Sequence, residues 1–209
     1  MCHRVSPLLF EELTEALDSL RATGHARIPQ RDLSRDVPDA YPGHPLPLFV
    51  PDEFGELEVA ECTWGFNMSG DKRSKLVFNT RIETALDQLR QGRGMWVDPM
   101  SYGRCLVPVR AFFEYQRSAP SDESNLASKA KRIQKRFTLP GWSVFLLAGV
   151  YQHDRVSIVT TQPNQSVAPV HNRMPLVLAP GESQLWLGPD FATLQDRSAL
   201  VLEKSNEDF

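Results

Sequence analysis

The sequence predicts an α+β fold built on a mainly antiparallel sheet, and three observations carry that prediction. Segments rich in β-branched and aromatic residues dominate: "ELEVAECTWGF", "RCLVPVRAFFEYQ", "WSVFLLAGVYQ" and "RVSIVTT". Apolar residues recur at helical spacing in few stretches. The last two strand-like segments are separated by His153-Asp154 alone, a hairpin connection. The 209 residues suffice for one domain spanning 1–209 that buries a core without disulfide or metal staples.

Taken in order, Ser6-Pro7 offers an N-cap followed by a first-turn proline. Leu9, Leu13, Leu17 and Leu20 then recur at helical spacing, and Gly24 stops the run. The prediction is a short amphipathic helix that ties the terminus to the protein body. Pro29 to Pro51 is too rich in proline for helix. It reads as extended chain and turns, with "PLPLFV" as an edge strand. "ELEVAECTWGF" reads as a strand and "NMSGDKRSK" as a polar loop. "LVFNTRIETALDQLRQG" begins as a strand and turns helical near Ile82, ending at Gly92 or Gly94. "RCLVPVRAFFEYQ" is a strand, and a flexible polar excursion is expected at 117–136. The hairpin follows, then a short strand after "HNRMP", a mixed tail, and a loose acidic end "KSNEDF".

Composition excludes several classes. No stretch approaches the roughly 20 apolar residues of a membrane span, and no signal peptide is visible. Cys2, Cys62 and Cys105 form no C-x-x-C pair, so no zinc ribbon or thioredoxin-like motif is supported, and a reducing cytosol fits best. Neither a Walker nor a G-x-G-x-x-G pattern occurs, and no internal repeat. The net charge of -3 leaves room for a local basic groove. Arginine outnumbers lysine, which suits bidentate phosphate contacts and equally reflects compositional bias.

Four polar residues stand in apolar or structured surroundings. Cys2 lies at the terminus, Asn79 ends "LVFN", Glu114 lies within "AFFEY", and His171 within "PVHNRMP". Singly, each admits a bland role: a frayed end, a turn closure, an outward-facing strand position, a satisfied structural histidine.

Together they resemble something specific. "MCHR", "TWG", "NTRIET", "RCLVPVRAFFEY", "LLAGVY", "VTTQPN" and "APVHNRMPLVL" resemble, in order, the motifs of the SRAP family, the SOS-response-associated peptidases that crosslink to abasic sites in DNA. The resemblance implies a barrel-like sheet flanked by a few helices and a positively charged groove for single-stranded DNA, with no cofactor and no metal. It implies Cys2, Asn79, Glu114 and His171 as the active-site set. It places Arg4, Arg81 and Arg173 toward phosphate or the lesion, with Pro42 of "DAYPG" where the chain approaches DNA. Trp64 reads as a core residue with an exposed edge on which a base can stack. A monomeric, cytoplasmic, bacterial or phage protein follows, nucleoid-associated when bound to DNA.

Three departures from the family pattern stand out. His3 occupies the place of a glycine. The aromatic end of the wedge after "TWG" is replaced by "FNMSGDKRSK". The family's G-F-Y-E-W becomes "AFFEY". These bear on DNA-junction preference and leave the crosslinking residues in place.

The chemistry explains why the cysteine stands second. Removal of Met1 exposes an α-amine and a thiol on adjacent carbons. Both add to one aldehyde carbon of a ring-opened abasic sugar and close a five-membered thiazolidine. An internal cysteine has its nitrogen locked in a peptide bond. The α-amine titrates at about 7.7–8.0 and the thiol at about 8.5, so each needs help to become nucleophilic. Asn79 can hold the terminus, His171 can move protons, and Glu114 among Phe112, Phe113 and Tyr115 is expected to have a raised pKa. Associated lyase and self-processing peptidase activities are part of the same resemblance. Two other functions stay open: an N-terminal-nucleophile hydrolase acting on a peptide or amide, and a catalytically silent DNA-binding module.

Overall fold

The computed structural model describes residues 2–28, 38–67, 76–116 and 133–206. Strand β1 (Val5–Pro7) leads into helix α1 (Phe10–Thr23), and the hairpin β2 (Pro45–Pro51) and β3 (Leu57–Trp64) follows. Short strands β4 (Phe66–Asn67), β5 (Leu76–Val77) and β6 (Asn79–Arg81) precede helices α2 (Ile82–Gln91) and α3 (Val97–Tyr102). The long strand β7 (Arg104–Tyr115) is followed by β8 (Gln134–Thr138), β9 (Phe145–Gln152) and β10 (Arg155–Thr161). Strands β11 (Met174–Pro175) and β12 (Val177–Leu178), helix α4 (Ser183–Leu187), a 3-10 turn at Phe191–Gln195 and strand β13 (Glu203–Asn206) complete the order.

Five strands close into a barrel in the order β9-β10-β3-β2-β7, with β7 pairing back onto β9. The ladders are antiparallel except where β10 runs parallel to β3 and to β6. The predicted α+β class with a mainly antiparallel, barrel-like sheet is what the chain forms. Period-two alternation sorts side chains into two cores. Leu46, Leu48, Val107, Val109, Leu147 and Ile158 pack together inside the barrel. Their sequence neighbours Phe49, Leu106, Leu146, Ala148 and Val159 pack outside, under Leu13, Leu17 and Leu20 of α1 and beside Trp96 and Trp186. No helix among the described residues is long and apolar enough to cross a membrane.

Several expectations need correction. Ser6-Pro7 does not cap α1; it forms β1, which pairs with β7 through Val5↔Phe112, while the Ser6 hydroxyl donates to Asp39. The first turn of α1 is satisfied instead by Glu12, whose carboxylate accepts the Leu9 N–H at 2.8 Å. The stop at Gly24 holds: it adopts φ 74° and donates to the Leu20 carbonyl. β2 is not an edge strand, because it lies between β3 and β7. Its prolines fit there by parity. β3 is paired along the whole of β2, whereas β7 meets it only at Phe49↔Leu106, and Phe49 is the one residue sharing the parity of Pro45, Pro47 and Pro51 that has an N–H. Of the end expected to be loose (204–209), residues 204–206 pair with β8, and 207–209 lie outside the described residues. The excursion expected at 117–136 lies outside the described residues as far as 132, and from Gln134 the chain is already in β8. Much of the proline-rich run (29–37) and of the polar loop (68–75) also falls outside them.

Candidate active site

The barrel brings Cys2, Asn79, Glu114 and His171 to one end, each delivered by a different element. Cys2 precedes β1. Its direction is fixed where the Phe113 N–H donates to the Arg4 carbonyl at 3.1 Å and where Val5 bridges to Ala40 on its other side. The residue is wholly buried and joins the barrel-interior cluster, so the chain is already packed at Cys2. Its thiol contacts the Arg4 carbonyl at 3.6 Å.

Asn79 opens β6, held parallel to β10 by Asn79↔Ile158. Its side-chain amide donates to the Cys2 carbonyl at 2.8 Å, which clamps the terminus from across the barrel mouth. The other amide atom, Oδ1, is buried with no hydrogen-bond partner and remains able to accept one. Glu114 lies near the end of β7, only 1 % exposed. Burial pushes its carboxyl up to about 7, so near neutral pH it can both give and take a proton. Burial also drives the Cys2 thiol far above its ordinary value, and the nearby Glu114 charge raises it further. Buried in this way the thiol is a neutral S–H.

His171 lies in the turn before β11, with Nδ1 4.0 Å from Glu114 Oε2. Nδ1 lies 3.0 Å from the Arg173 carbonyl and 3.1 Å from the Arg173 backbone N–H, so it donates to the one when protonated and accepts from the other when not. Asn164 shapes this turn: its Oδ1 accepts the N–H groups of Ser166 and Val167, and its Nδ2 donates to the Leu200 carbonyl. The sequence did not single out Asn164, although it ends the quoted "VTTQPN".

The expected DNA-facing residues divide. Arg81 is exposed at the site side of α2, and Pro42 is half-buried beside exposed Tyr41. Arg4 is buried: its Nε donates to Asp39 at 2.6 Å, its Nη1 to Gln134 at 2.5 Å, and the guanidinium lies 4.0 Å over the Phe113 ring. Arg173 is also buried, forking onto both Glu83 oxygens at 2.8 and 2.9 Å and onto the Thr160 carbonyl. Burial opposes ionisation of Glu83, but the Arg173 fork outweighs it and holds the carboxyl below its usual value. These two arginines therefore brace the site from within. Glu83 belongs to "NTRIET" and Arg173 to "HNRMP", so one ion pair ties the strand of Asn79 to the turn of His171. The partnership joins residues far apart in sequence, and no local pattern signals it. Trp64 has no exposed edge; its indole N–H donates to the Phe78 carbonyl at 2.8 Å inside the barrel. The glycine of "TWG" is explained by φ 122° and by Leu76, whose Cγ would lie 2.4 Å from any added Cβ.

Fold and site together define a small α+β barrel that holds a near-terminal thiol among an amide, a carboxyl and an imidazole. The family model for the SOS response associated peptidases (SRAP) matches residues 1–209, and the chain belongs to that family. The abasic site processing protein YoaM of Bacillus subtilis is 29% identical over 173 residues, covering 77% of this chain and 70% of its own. YoqW of the same organism is 26% identical over 154 residues; the match spans 68% of this chain and 62% of that protein. Among solved structures, one protein from Bordetella bronchiseptica superimposes with TM-score 0.66 at 18% identity, covering 100% of both chains. A phage-related protein from the same organism gives TM-score 0.66 over 99% of this chain and 94% of its own. At that identity these structures speak for the fold.

Proposed function

We propose that this protein captures abasic sites in single-stranded DNA covalently, through a thiazolidine formed by Cys2 after Met1 is removed. The observation that carries the proposal is the clamp on Cys2. A residue one step from the chain start is wholly buried and is gripped through its carbonyl by Asn79 at 2.8 Å. The relatives named as abasic site processing proteins point the same way.

In the proposed sequence, the freed α-amine adds to C1′ of the ring-opened sugar. The resulting carbinolamine loses its hydroxyl as water and becomes an iminium that keeps its N–H. The protonated Glu114 carboxyl supplies a proton to that departing hydroxyl, a role suited to a pKa of about 7. The thiol then adds to the iminium carbon, its proton passing to the now ionised Glu114 while the C=N electron pair settles on the nitrogen, which has kept its N–H. Aldehyde and aminothiol thus become thiazolidine and water. His171, 4.0 Å from Glu114, carries protons between that carboxyl and the sugar oxygens. The same groups run the step backward, and slow lyase chemistry would branch from the iminium.

The test is a denaturing gel of protein incubated with uracil-glycosylase-treated single-stranded oligonucleotide. Wild type should give a shifted, heat-stable band, and Cys2→Ala none. An adduct that survives Cys2→Ala overturns the assignment of the nucleophile. Amide or peptide cleavage with no band would instead support a hydrolase, and reversible binding alone a DNA-binding module. Intact mass of the purified chain reports whether Met1 has gone.

A further inference from the structure

Beside Cys2, two aromatic rings lie against each other. His3 and Tyr115 stack with centroids 4.9 Å apart and planes 15° from parallel. Tyr115 is 38% exposed although it directly follows buried Glu114. It ends β7, and the next strand, β8, sets half-exposed Arg136 opposite Phe113, on the face that Phe113 and Tyr115 share by period-two alternation. An accessible aromatic surface with a cation, Arg136, on the adjacent strand, next to the proposed reacting residue, has the makeup of a single-strand binding surface. Trp64 offers no such surface, because it is enclosed in the barrel.

We propose that the His3–Tyr115 pair is a nucleobase platform that stacks the base of a nucleotide flanking the abasic sugar. The proposal rests on the crosslinking reading above. An abasic sugar has no base, so its neighbours in the strand have each lost a stacking partner there. A flat pair of rings beside Cys2 supplies a replacement face and sets the sugar carbon over the amine. Stacking is indifferent to base identity, since every base has a π-face. The platform therefore gives affinity for a baseless gap without sequence preference.

The test measures crosslinking rate against DNA concentration for wild type and Tyr115→Ala, on two oligonucleotides. In one, the reactive abasic site is flanked by ordinary nucleotides. In the other, both neighbours are tetrahydrofuran spacers, which have no base and no aldehyde. The expected result is a half-saturating concentration raised about tenfold by Tyr115→Ala on the first oligonucleotide, with the maximal rate little changed. On the second, wild type and variant should coincide, because no base is there to stack. An equal penalty on both oligonucleotides, or none on either, overturns the platform; the first of these is what a purely structural role predicts. If Tyr115→Ala fails to fold by thermal denaturation, His3→Gly removes the other ring and is held to the same comparison. Absence of any wild-type adduct would sink the crosslinking reading instead, and is visible before a variant is made.

Discussion

Two wholly buried thiols mark opposite ends of the barrel. Cys105 lies near the start of β7, and Glu114, the neighbour of Cys2, near its end. Nine residues of strand, at most about 30 Å of chain at roughly 3.3 Å per residue, lie between them. Burial raises the pKa of both thiols, so desolvation does not distinguish them. Their company does. Cys105 pairs with Gly149 and has Cys62 as its charged-state neighbour, itself a buried thiol with a raised pKa. Cys2 has a carboxyl poised near neutrality, an amide with a buried acceptor to spare, and an imidazole. Burial by itself makes a thiol inert. A proton acceptor within the same enclosure is what would make one usable.

The comparison breaks most completely if position is changed and composition is not. Inserting one glycine between Met1 and Cys2 leaves the thiol and its neighbours in the sequence but makes the cysteine internal, with its nitrogen in a peptide bond. The adduct band should vanish to background. An insertion variant that still crosslinks would mean the thiol acts without the amine, and the two ends of the barrel would then differ only by access.

Glu114→Gln removes the proton acceptor and keeps the shape. The crosslinking rate should drop by roughly 10²–10⁴-fold, the span of general acid–base contributions. In wild type the rate should decline as pH rises through about 7, where Glu114 loses the proton needed by the departing hydroxyl, and that inflection should be absent in the variant. Stability carries the same signature. The folded carboxyl titrates near 7 against an ordinary 4.5, so between those values the native state holds more protons than the unfolded one. Stability therefore falls as pH rises across that window and levels off above it, by roughly 3 kcal/mol in full. Urea denaturation at pH 5 and pH 8 should show this loss in wild type and not in Glu114→Gln.

Weakening the brace around the site should have a smaller effect. Arg173→Lys keeps the charge but loses the fork onto Glu83. It should cost roughly 2 kcal/mol of stability. Crosslinking should slow by roughly ten- to a hundredfold as the His171 turn drifts from Glu114. Matching denaturation and single-turnover measurements check both. Glu83→Gln should reproduce the kinetic loss, and the double variant should be no slower than the worse single one, as expected of partners in one interaction.

How much of this was legible before the structure depends on range. Glu114 announces itself as a carboxylate in an aromatic strand, and α2 by its start at Ile82 and a stop at Gly92 or Gly94, of which Gly92 is the cap. β8 and β13 are invisible locally, because "QKRFT" and "EKSN" are polar and become strands only by pairing with each other and with β7. The barrel's closure by β7 onto β9 joins residues about forty apart, which no periodicity encodes. Arg4 and Arg173 are placed toward DNA by their motif positions; their internal carboxylates, Asp39 and Glu83, lie far away in sequence. Ser6-Pro7 carried a good local helix signal, but Val5 and Pro7 are buried against β7, and tertiary pairing overrode it.

The mildest substitution sharpens the contrast from the other end. Cys105→Ala deletes the sulfur of the far thiol from a packed interior and should cost about 1–2 kcal/mol through lost contacts and a small cavity. Adduct formation should be untouched. The site of the loss can be verified through its neighbour. A Cβ built on Gly149 would lie 2.8 Å from Cys105 Sγ and 2.9 Å from Val107 Cγ2, so Gly149→Ala overpacks the barrel. That alone should destabilise by about 1–3 kcal/mol. Combined with Cys105→Ala, the added methyl gains the room the sulfur vacates, and the double variant should be more stable than the sum of the single losses predicts. Strict additivity in denaturation midpoints would show that the Val107 contact sets the limit and that Cys105 is not a packing residue. A change in adduct yield in Cys105→Ala would show that the two ends of the barrel are not independent, and the distinction between an inert thiol and a usable one would then have to be drawn from the whole core.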